Sequence, residues 1–443
     1  MPYDRELGEG QMDITKAKDA IDSKFDSYEL YYLKERIKKF ESKEKEICGI
    51  EFKEEEGIAL RAIKDSRMAF AYTYDREGAL EALLKNTSAL IPITEKDEQR
   101  SFPGPYSEYS SLSLYDEEGL AMNDANKTGL LIDMEKGIRE YDKRIMTVRN
   151  CELQEIEFEA KIRNSNGLTA EGKKTLYVMS ALCVAKDQDE VSWYDWSWAN
   201  RFTELEGKQL GEKIAEKTIS LLSSKQIGTG VYEGILKPQA ACDMLGILSD
   251  SFLAESLFKN KTRLKAKEGT RCFSDVLSII DSGKLGVDAF GFDGEGVPSR
   301  ENLIVINGYF ETFLYDSYYG RKFGVASTAN SVRGGVKDLP KCGPRGLFVK
   351  QGERSLEGAF RNGVVIEELM GTHTANSVTG DFSLGALGYL CKNGQKTPFQ
   401  GVIMSGNVFE VLKNVREVGN DLKFYGVFGS PSLFVANLKI SGT

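Results

Sequence analysis

Residue types able to do hydrolytic chemistry are thinly spread through this sequence, and imidazole is the scarcest: His373 is the one histidine in 443 residues. A helical zinc site of the His-Glu kind needs a pair of imidazoles on one helix face and a carboxylate beside the bound water. The pair is missing. A Ser-His-Asp or Cys-His site is confined to the neighbourhood of residue 373. Either catalysis is histidine-poor, or the chain works without catalysis of its own. The seven cysteines, at 48, 151, 183, 242, 272, 342 and 391, are scattered, odd in number and without a C-x-x-C pair. They read as reduced thiols of a cytoplasmic protein and offer no closed cysteine zinc site.

Other groupings carry polar chemistry with a plainer reading beside each. Ser256-x-x-Lys259 matches the S-x-x-K pattern of some acylating hydrolases, a motif short enough to arise by chance. Lys259, Lys261, Arg263, Lys265 and Lys267 alternate along what reads as an extended segment, with their charges on one side. They contact a polyanion or acidic partner, or they form a solvated edge that discourages strand pairing. Residues 291–298 form the densest glycine cluster, without the spacing of a dinucleotide loop. Asp293 and Glu295 there are paired carboxylates with too few companions for a cation, and a turn is the plainer reading. Residues 371–386 join His373 to hydroxyls and to Asp381, as a loop that orients a peptide or as exposed structure. Trp193, Trp196 and Trp198 form a substrate wall or pack a sheet.

These residues need elements to hold them. With 41% apolar and 28% charged residues the chain is an ordinary globular protein, and its length suits more than one core. Residues 12–24 read as a helix, followed by period-two strands at 28–37, 40–52, 58–64 and 68–74. Asp75 starts a helix through residue 84, residues 92–109 are loop, and an amphipathic helix spans 128–147. Strands follow at 153–162, 166–180 and 182–194, with Asn166-Gly167 as a hairpin turn. A further helix covers 205–224, then another, entered through Pro238, covers 238–258. A strand is expected at 302–307. Glycines become frequent beyond residue 231, which places a domain boundary near 228. The expected fold is α+β: an N-terminal α/β domain over 1–228 with a curled antiparallel sheet and long helices, and a largely antiparallel β domain over 229–443. The first residues lack the basic segment and apolar core of a secretory signal, and no apolar run is long enough to span a bilayer.

Several runs resemble a known family. Asp293-Gly-Glu-Gly-Val-Pro298, Leu303-Ile-Val-Ile-Asn-Gly308, Phe313-Leu-Tyr-Asp316 and Ser327-Thr-Ala-Asn-Ser-Val-Arg333 are similar to the central signature of the TldD/PmbA family. Met370-Gly371, Ser377-Val-Thr-Gly-Asp-Phe-Ser-Leu-Gly-Ala386, Ser405-Gly-Asn407 and Val418-Gly-Asn-Asp421 resemble the C-terminal half of its PmbA branch, also called TldE. The matches run in order through nearly all of residues 231–443. Over the first 230 residues the resemblance is mainly architectural.

The resemblance implies a cytoplasmic peptidase system, historically labelled a modulator of DNA gyrase. Its subunits pair as dimers around an enclosed cavity and cleave unfolded or flexible peptides, leader peptides among them. It implies zinc on an HExxxH helix plus a C-terminal cysteine in the TldD branch. The TldE branch lacks that motif, yet the heteromeric protease needs it. Here Asp243-Met-Leu-Gly-Ile-Leu248 stands where HExxxH would be, so no zinc role carries over.

The expected role is therefore a TldE-like subunit with no catalytic residue, metal ligand or cofactor of its own. Zinc is expected only on a TldD-like partner. Asp293, Glu295, Asn330, Arg333, His373, Thr379 and Asp381 are the expected peptide-facing residues. The alternative is a homodimeric peptide-binding or regulatory protein without hydrolytic activity. Direct nucleic-acid contact through the Lys259–Lys267 stripe is a third reading, against which the net charge of −9 argues. No membrane partner is expected.

Overall fold

The structure, a computed structural model, describes residues 14–356, 358 and 360–442. The chain start, with the first two residues of the expected helix 12–24, lies outside the described residues; the remainder forms α1, Ile14–Asp22. Strands β1 (Ser27–Lys43) and β2 (Glu46–Lys64) form a long hairpin. Its link, Glu44-Lys45, has both residues at positive φ, the conformation that matches strand twist in a tight hairpin. The expected strand 40–52 therefore straddles a turn. Neither link residue is the Gly or Asn that usually marks one, and the alternation runs on across it.

Asp65 and Ser66, again at positive φ, lead into β3, Arg67–Thr73. β4 (Ile145–Asn164), β5 (Thr169–Lys186) and β6 (Glu190–Ala199) complete an antiparallel sheet in the order β3-β2-β1-β4-β5-β6. Register shifts at Glu41/Ser42 and Arg149/Glu152 help to curl it. The Asn166-Gly167 turn lies between β4 and β5. The expected break near residue 181 does not occur, because the chain turns instead where the Asp187 amide donates to the Asp189 carbonyl.

Helices cover this sheet. α2 spans Ala79–Leu90 and starts at Gly78 in the left-handed region, so the expected start at Asp75 is too early; that residue's amide donates to Thr73 Oγ1 in a turn. α3 is Glu117–Ala121, and α4, Asp124–Arg139, ends before the expected 147. Asp142 turns the chain by accepting from the Arg144 amide at 2.8 Å, which frees Ile145 and Thr147 for β4. Helical and strand spacing both place Tyr141 and Ile145 on an apolar stripe, so the sequence pattern alone did not end the helix. Leu131, Met134 and Ile138 of α4 pack with Leu210, Ile214 and Ala215 of α5, Gly207–Leu221.

The second half opens with β7, Gly230–Leu236. β7 pairs with Gly363–Met370 on one side and Leu433–Ser441 on the other. Asp381–Lys392 and Gln395–Asn407 continue from Gly363–Met370, and Gln395–Asn407 pairs back onto Leu433–Ser441. The ring of five strands is thus a closed barrel, and Val415–Val418 adds to Leu433–Ser441 as an outer strand. The loop expected at 371–386 ends at Gly380, since residues from Asp381 onward are barrel strand.

A second, seven-stranded sheet runs from Lys423–Tyr425 through Phe428–Ser430, Leu347–Val349, Ile279–Ser282, Glu301–Ile306 and Tyr309–Phe310 to Thr270–Arg271. Between barrel and sheet lies α6, Pro238–Ser249, with Ala240, Ala241, Met244, Leu245 and Leu248 in the common core. The expected helix 238–258 is broken at Leu253, which is extended because the amides of Ala254 and Leu314 bond across to Leu314 and Phe252. α7, Ala254–Phe258, follows. Beyond it the lysine stripe is folded into turns at Asn260 and Ala266, both at positive φ, and is not extended. Lys259 reaches back to Glu255, while Arg263 reaches the Thr379 carbonyl. Leu264, 2% exposed, anchors the segment and spoils its one-sided pattern. Among the described residues no helix is long and apolar enough to cross a membrane.

Gly211 lets α5 approach α4 closely, since a Cβ there would lie 2.2 Å from the Met134 carbonyl oxygen. Gly211→Ala is expected to cost about 1–3 kcal/mol by forcing the helices apart, read as a lower urea midpoint with an unchanged slope.

Candidate functional site

The structure brings four of the expected site residues together in a buried charge network. Glu29 of β1, fully buried, accepts from Arg61 Nε at 3.0 Å and Nη2 at 2.6 Å, and from Arg333 Nη2. Arg61 Nη2 also reaches Glu295 Oε1 at 3.4 Å. The other Glu295 oxygen accepts from the amide of Ser317, the first residue of α8, Ser317–Phe323. Asp293 folds the glycine loop on itself, accepting from the amides of Glu295, Val297 and Ser331. Asn330 donates to Asp281 and to the Gly343 carbonyl, and Arg333 Nε donates to the Gly294 carbonyl. Asp293 and Arg333 also line a cavity of about 280 Å³ against the curled sheet, bordered by Tyr31, Phe158 and Phe290.

Charge counting explains the acidities in this network. Burial works against ionised Glu29, but Arg333 and Arg61 hold it below the ordinary carboxylate range. Arg61 and Arg333 balance Glu29 and Glu295, which leaves Arg345 and backbone amides to offset Asp293 and the Tyr319 amide to offset Asp316. Burial, followed by the charge of Glu295, pushes both Asp293 and Asp316 up to about 7.

The other three expected residues sit elsewhere. His373 is exposed in a short turn, Thr372–Thr374. Thr379 and Asp381 are exposed and bonded to each other, and Asn407 Nδ2 donates to Asp381 at 2.8 Å.

A larger cleft, of about 650 Å³, opens where the two halves of the chain meet. Trp193 and Asp195 of β6 form one wall, and Lys213, Glu216, Lys217 and Ser220 of α5 stand beside them. Lys237, Pro238 and Gln239 bring the start of α6 to it. The barrel supplies Glu367, Tyr389 and Lys396, and the segment 421–425 supplies Asp421, Lys423 and Tyr425. β6 and Lys423–Tyr425 are both edge strands, so two open sheet edges border one cleft. Trp196 and Tyr425 join them in an edge-to-face contact at 6.4 Å. Sequence patterns singled out the tryptophans, but these lysines lie on separate elements with no shared motif.

Ion pairs line this cleft: Lys213 with Asp195 at 2.5 Å, Lys217 with Glu367 at 2.8 Å, and Lys237 with Asp421 at 3.9 Å. Behind it, burial first and Glu368 second push Asp243 of α6 up to about 7. The neighbouring Cys242 thiol donates to the Phe428 carbonyl, and burial pushes it up to about 12. Zinc is held by thiolates, neutral imidazoles and ionised carboxylates. α6 offers one carboxyl and one thiol and no imidazole, fewer than the three protein ligands usual for a catalytic zinc. Among the described residues, no three of His, Cys, Asp and Glu are grouped to hold a metal.

A curled sheet backed by helices, followed by a closed barrel and a second sheet with a buried helix between them, defines a fold shared with known proteins. Residues 28–90, 117–222 and 229–442 match the first, central and C-terminal domains of the PmbA/TldA metallopeptidases. The chain belongs to the PmbA/TldD family. It is 29% identical to an uncharacterized protein of Methanocaldococcus jannaschii over 391 residues, which span 85% of this chain and 87% of the relative. A metalloprotease PmbA homolog of Haemophilus influenzae is 24% identical over 412 residues, spanning 90% and 88%. In fold, the chain is similar to the crystal structure of TldE from Thermococcus kodakarensis, with a TM-score of 0.88 at 22% identity over 97% of this chain and all of that one.

Glu29→Ala would leave Arg61 and Arg333 buried with half their compensation gone, at an expected cost of about 3–5 kcal/mol in chemical denaturation. A separate outcome concerns pH. The acidity of Asp243 is weaker in the folded state than in the unfolded chain, so its stabilising contribution is complete below about pH 4 and lost as pH rises through about 7. Asp243→Asn removes that loss. The melting temperature of the variant relative to the parent is expected to rise between about pH 5 and pH 8, as differential scanning calorimetry will read.

Proposed function

We propose that this chain is a zinc-free, TldE-like subunit of a cytoplasmic two-subunit peptidase. It encloses unfolded or leader peptides together with a TldD-like partner, and the partner's zinc performs the cleavage. The observation that carries this reading is the donor set on α6. Where the family's metal helix carries HExxxH, this helix offers Asp243, Met244 and Leu248. Met244 and Leu248 are fully buried in the core, and Asp243 has its acidity weakened to about 7.

The cleft supports the peptide part of the reading. An extended peptide carries unpaired backbone donors and acceptors, and an open sheet edge can take them as an added strand. β6 and Lys423–Tyr425 are edge strands that lie beside the cleft. Trp193, Tyr389 and Tyr425 supply apolar surface for side chains.

The test combines metal analysis with reconstitution. The purified chain is expected to contain far less than stoichiometric zinc and to leave an unfolded peptide intact. Mixed with a TldD-like subunit from the same genome, it is expected to copurify and to raise cleavage well above that of the partner alone. Chelator-sensitive cleavage by this chain alone, with stoichiometric zinc, overturns the reading.

A further inference from the structure

The lysines of the cleft are unequally matched. Lys213, Lys217 and Lys237 each face a carboxylate, but among the described residues Lys396 and Lys423 have none within ion-pair distance. Lys396 lies over the Tyr389 ring at 5.8 Å. Lys423 sits on the edge strand itself. Desolvation, followed by the neighbouring charge of Lys213 and then that of Lys237, holds its pKa below the ordinary lysine range, against the pull of Asp195 and Asp421. An ammonium crowded in this way is stabilised by an added anion.

Two further features have the same polarity. α6 begins at the cleft with no side-chain cap and no acidic residue in its first turn, so its positive end is uncompensated by its own side chains. Trp193, 5% exposed and lining the same cleft, has an indole Nε1 without a hydrogen-bond partner. Indole is a donor only and calls for an acceptor.

We propose that this cleft selects peptides carrying a carboxylate, from an acidic side chain or a free C-terminus, and that Lys423 is the residue that reads it. The proposal rests on the peptide-binding reading above and names its substrate class. A strand added to the Lys423–Tyr425 edge brings its side chains beside Lys423, where one ion pair forms without breaking those of Lys213 and Lys217.

Fluorescence anisotropy on the full chain tests this with one short, unstructured, rhodamine-labelled peptide in three forms: neutral and amidated, neutral with a free C-terminus, and amidated with one glutamate. At least one carboxylate form is expected to bind about tenfold tighter than the neutral form, a difference that shrinks as salt is raised. The form that gains identifies the source. Lys423→Gln, which breaks no existing ion pair, is expected to erase the difference between the carboxylate and neutral forms. Equal binding of all forms, or a preference that survives in Lys423→Gln, overturns the proposal and leaves peptide binding standing. If no form binds, either to the chain alone or to the chain with its partner, the peptide reading fails as well.

Discussion

Glu29, held on one side by Arg61 and on the other by Arg333, is the contact on which the arrangement of the two halves turns. Arg61 and Glu29 belong to neighbouring strands of the first sheet, whereas Arg333 and Glu295 come from loops of the second half. Burying such charges is expensive, and it is tolerated only when each is paired and its remaining valences are bonded. Backbone meets most of that condition: the Gly294 carbonyl, the Ser317 amide and the amides around Asp293 bond into the set, while Arg333 Nη1 stays buried without a partner. An apolar replacement could stabilise as well but would accept many orientations. A network with so many directed bonds accepts few. β6 lies three strands from β1 in the same sheet, roughly 14 Å away at ordinary strand spacing, so fixing β1 against the loops also fixes the edge that borders the cleft.

The same economy explains why α6 persists without metal ligands. A helix between a barrel and a sheet is needed to fill the core whatever it carries. Ala240 and Ala241 allow close approach, while Met244, Leu245 and Leu248 occupy the volume. Leu248 is fully buried, and replacing it by an imidazole would place a polar ring where apolar side chains converge. The helix has the composition of a packing element, and its one acid, Asp243, is moved toward neutrality by its surroundings.

How much of this was legible in the sequence depended on whether the cause was local. The strands of the first sheet announce themselves by alternation, and Asn166-Gly167 by turn chemistry. The hairpin at Glu44-Lys45 did not, because its link residues are not turn formers and long flanking strands impose the conformation. The end of α4 was hidden although its cause is local: Tyr141 and Ile145 fit either period, and that ambiguity masked the Asp142–Arg144 turn two residues long. Leu253 breaks the expected long helix through bonds to Leu314, a residue far away in sequence. Asp293 and Glu295 could be picked out by type and spacing, and Asn330 and Arg333 by the family resemblance of the run that holds them. Their partner Glu29 could not, as it is an acid in a strand full of charges. The cleft lysines, drawn from α5, the α6 start, a barrel strand and the edge strand, share no pattern that a linear reading detects.

Edge strands with unpaired backbone are a hazard, and proteins commonly guard them with lysine. Lys423 at an edge can be read as such a guard. A guard of that kind works best in open water, where hydration keeps the ammonium charged at little cost. Lys423 instead stands among Lys213 and Lys237 in a partly desolvated cleft, where its charge is costly. The placement repels a second cationic edge but favours an incoming anionic strand. Discouraging aggregation and admitting a chosen peptide are then one electrostatic arrangement, and the sign of the incoming chain's charge decides which outcome follows.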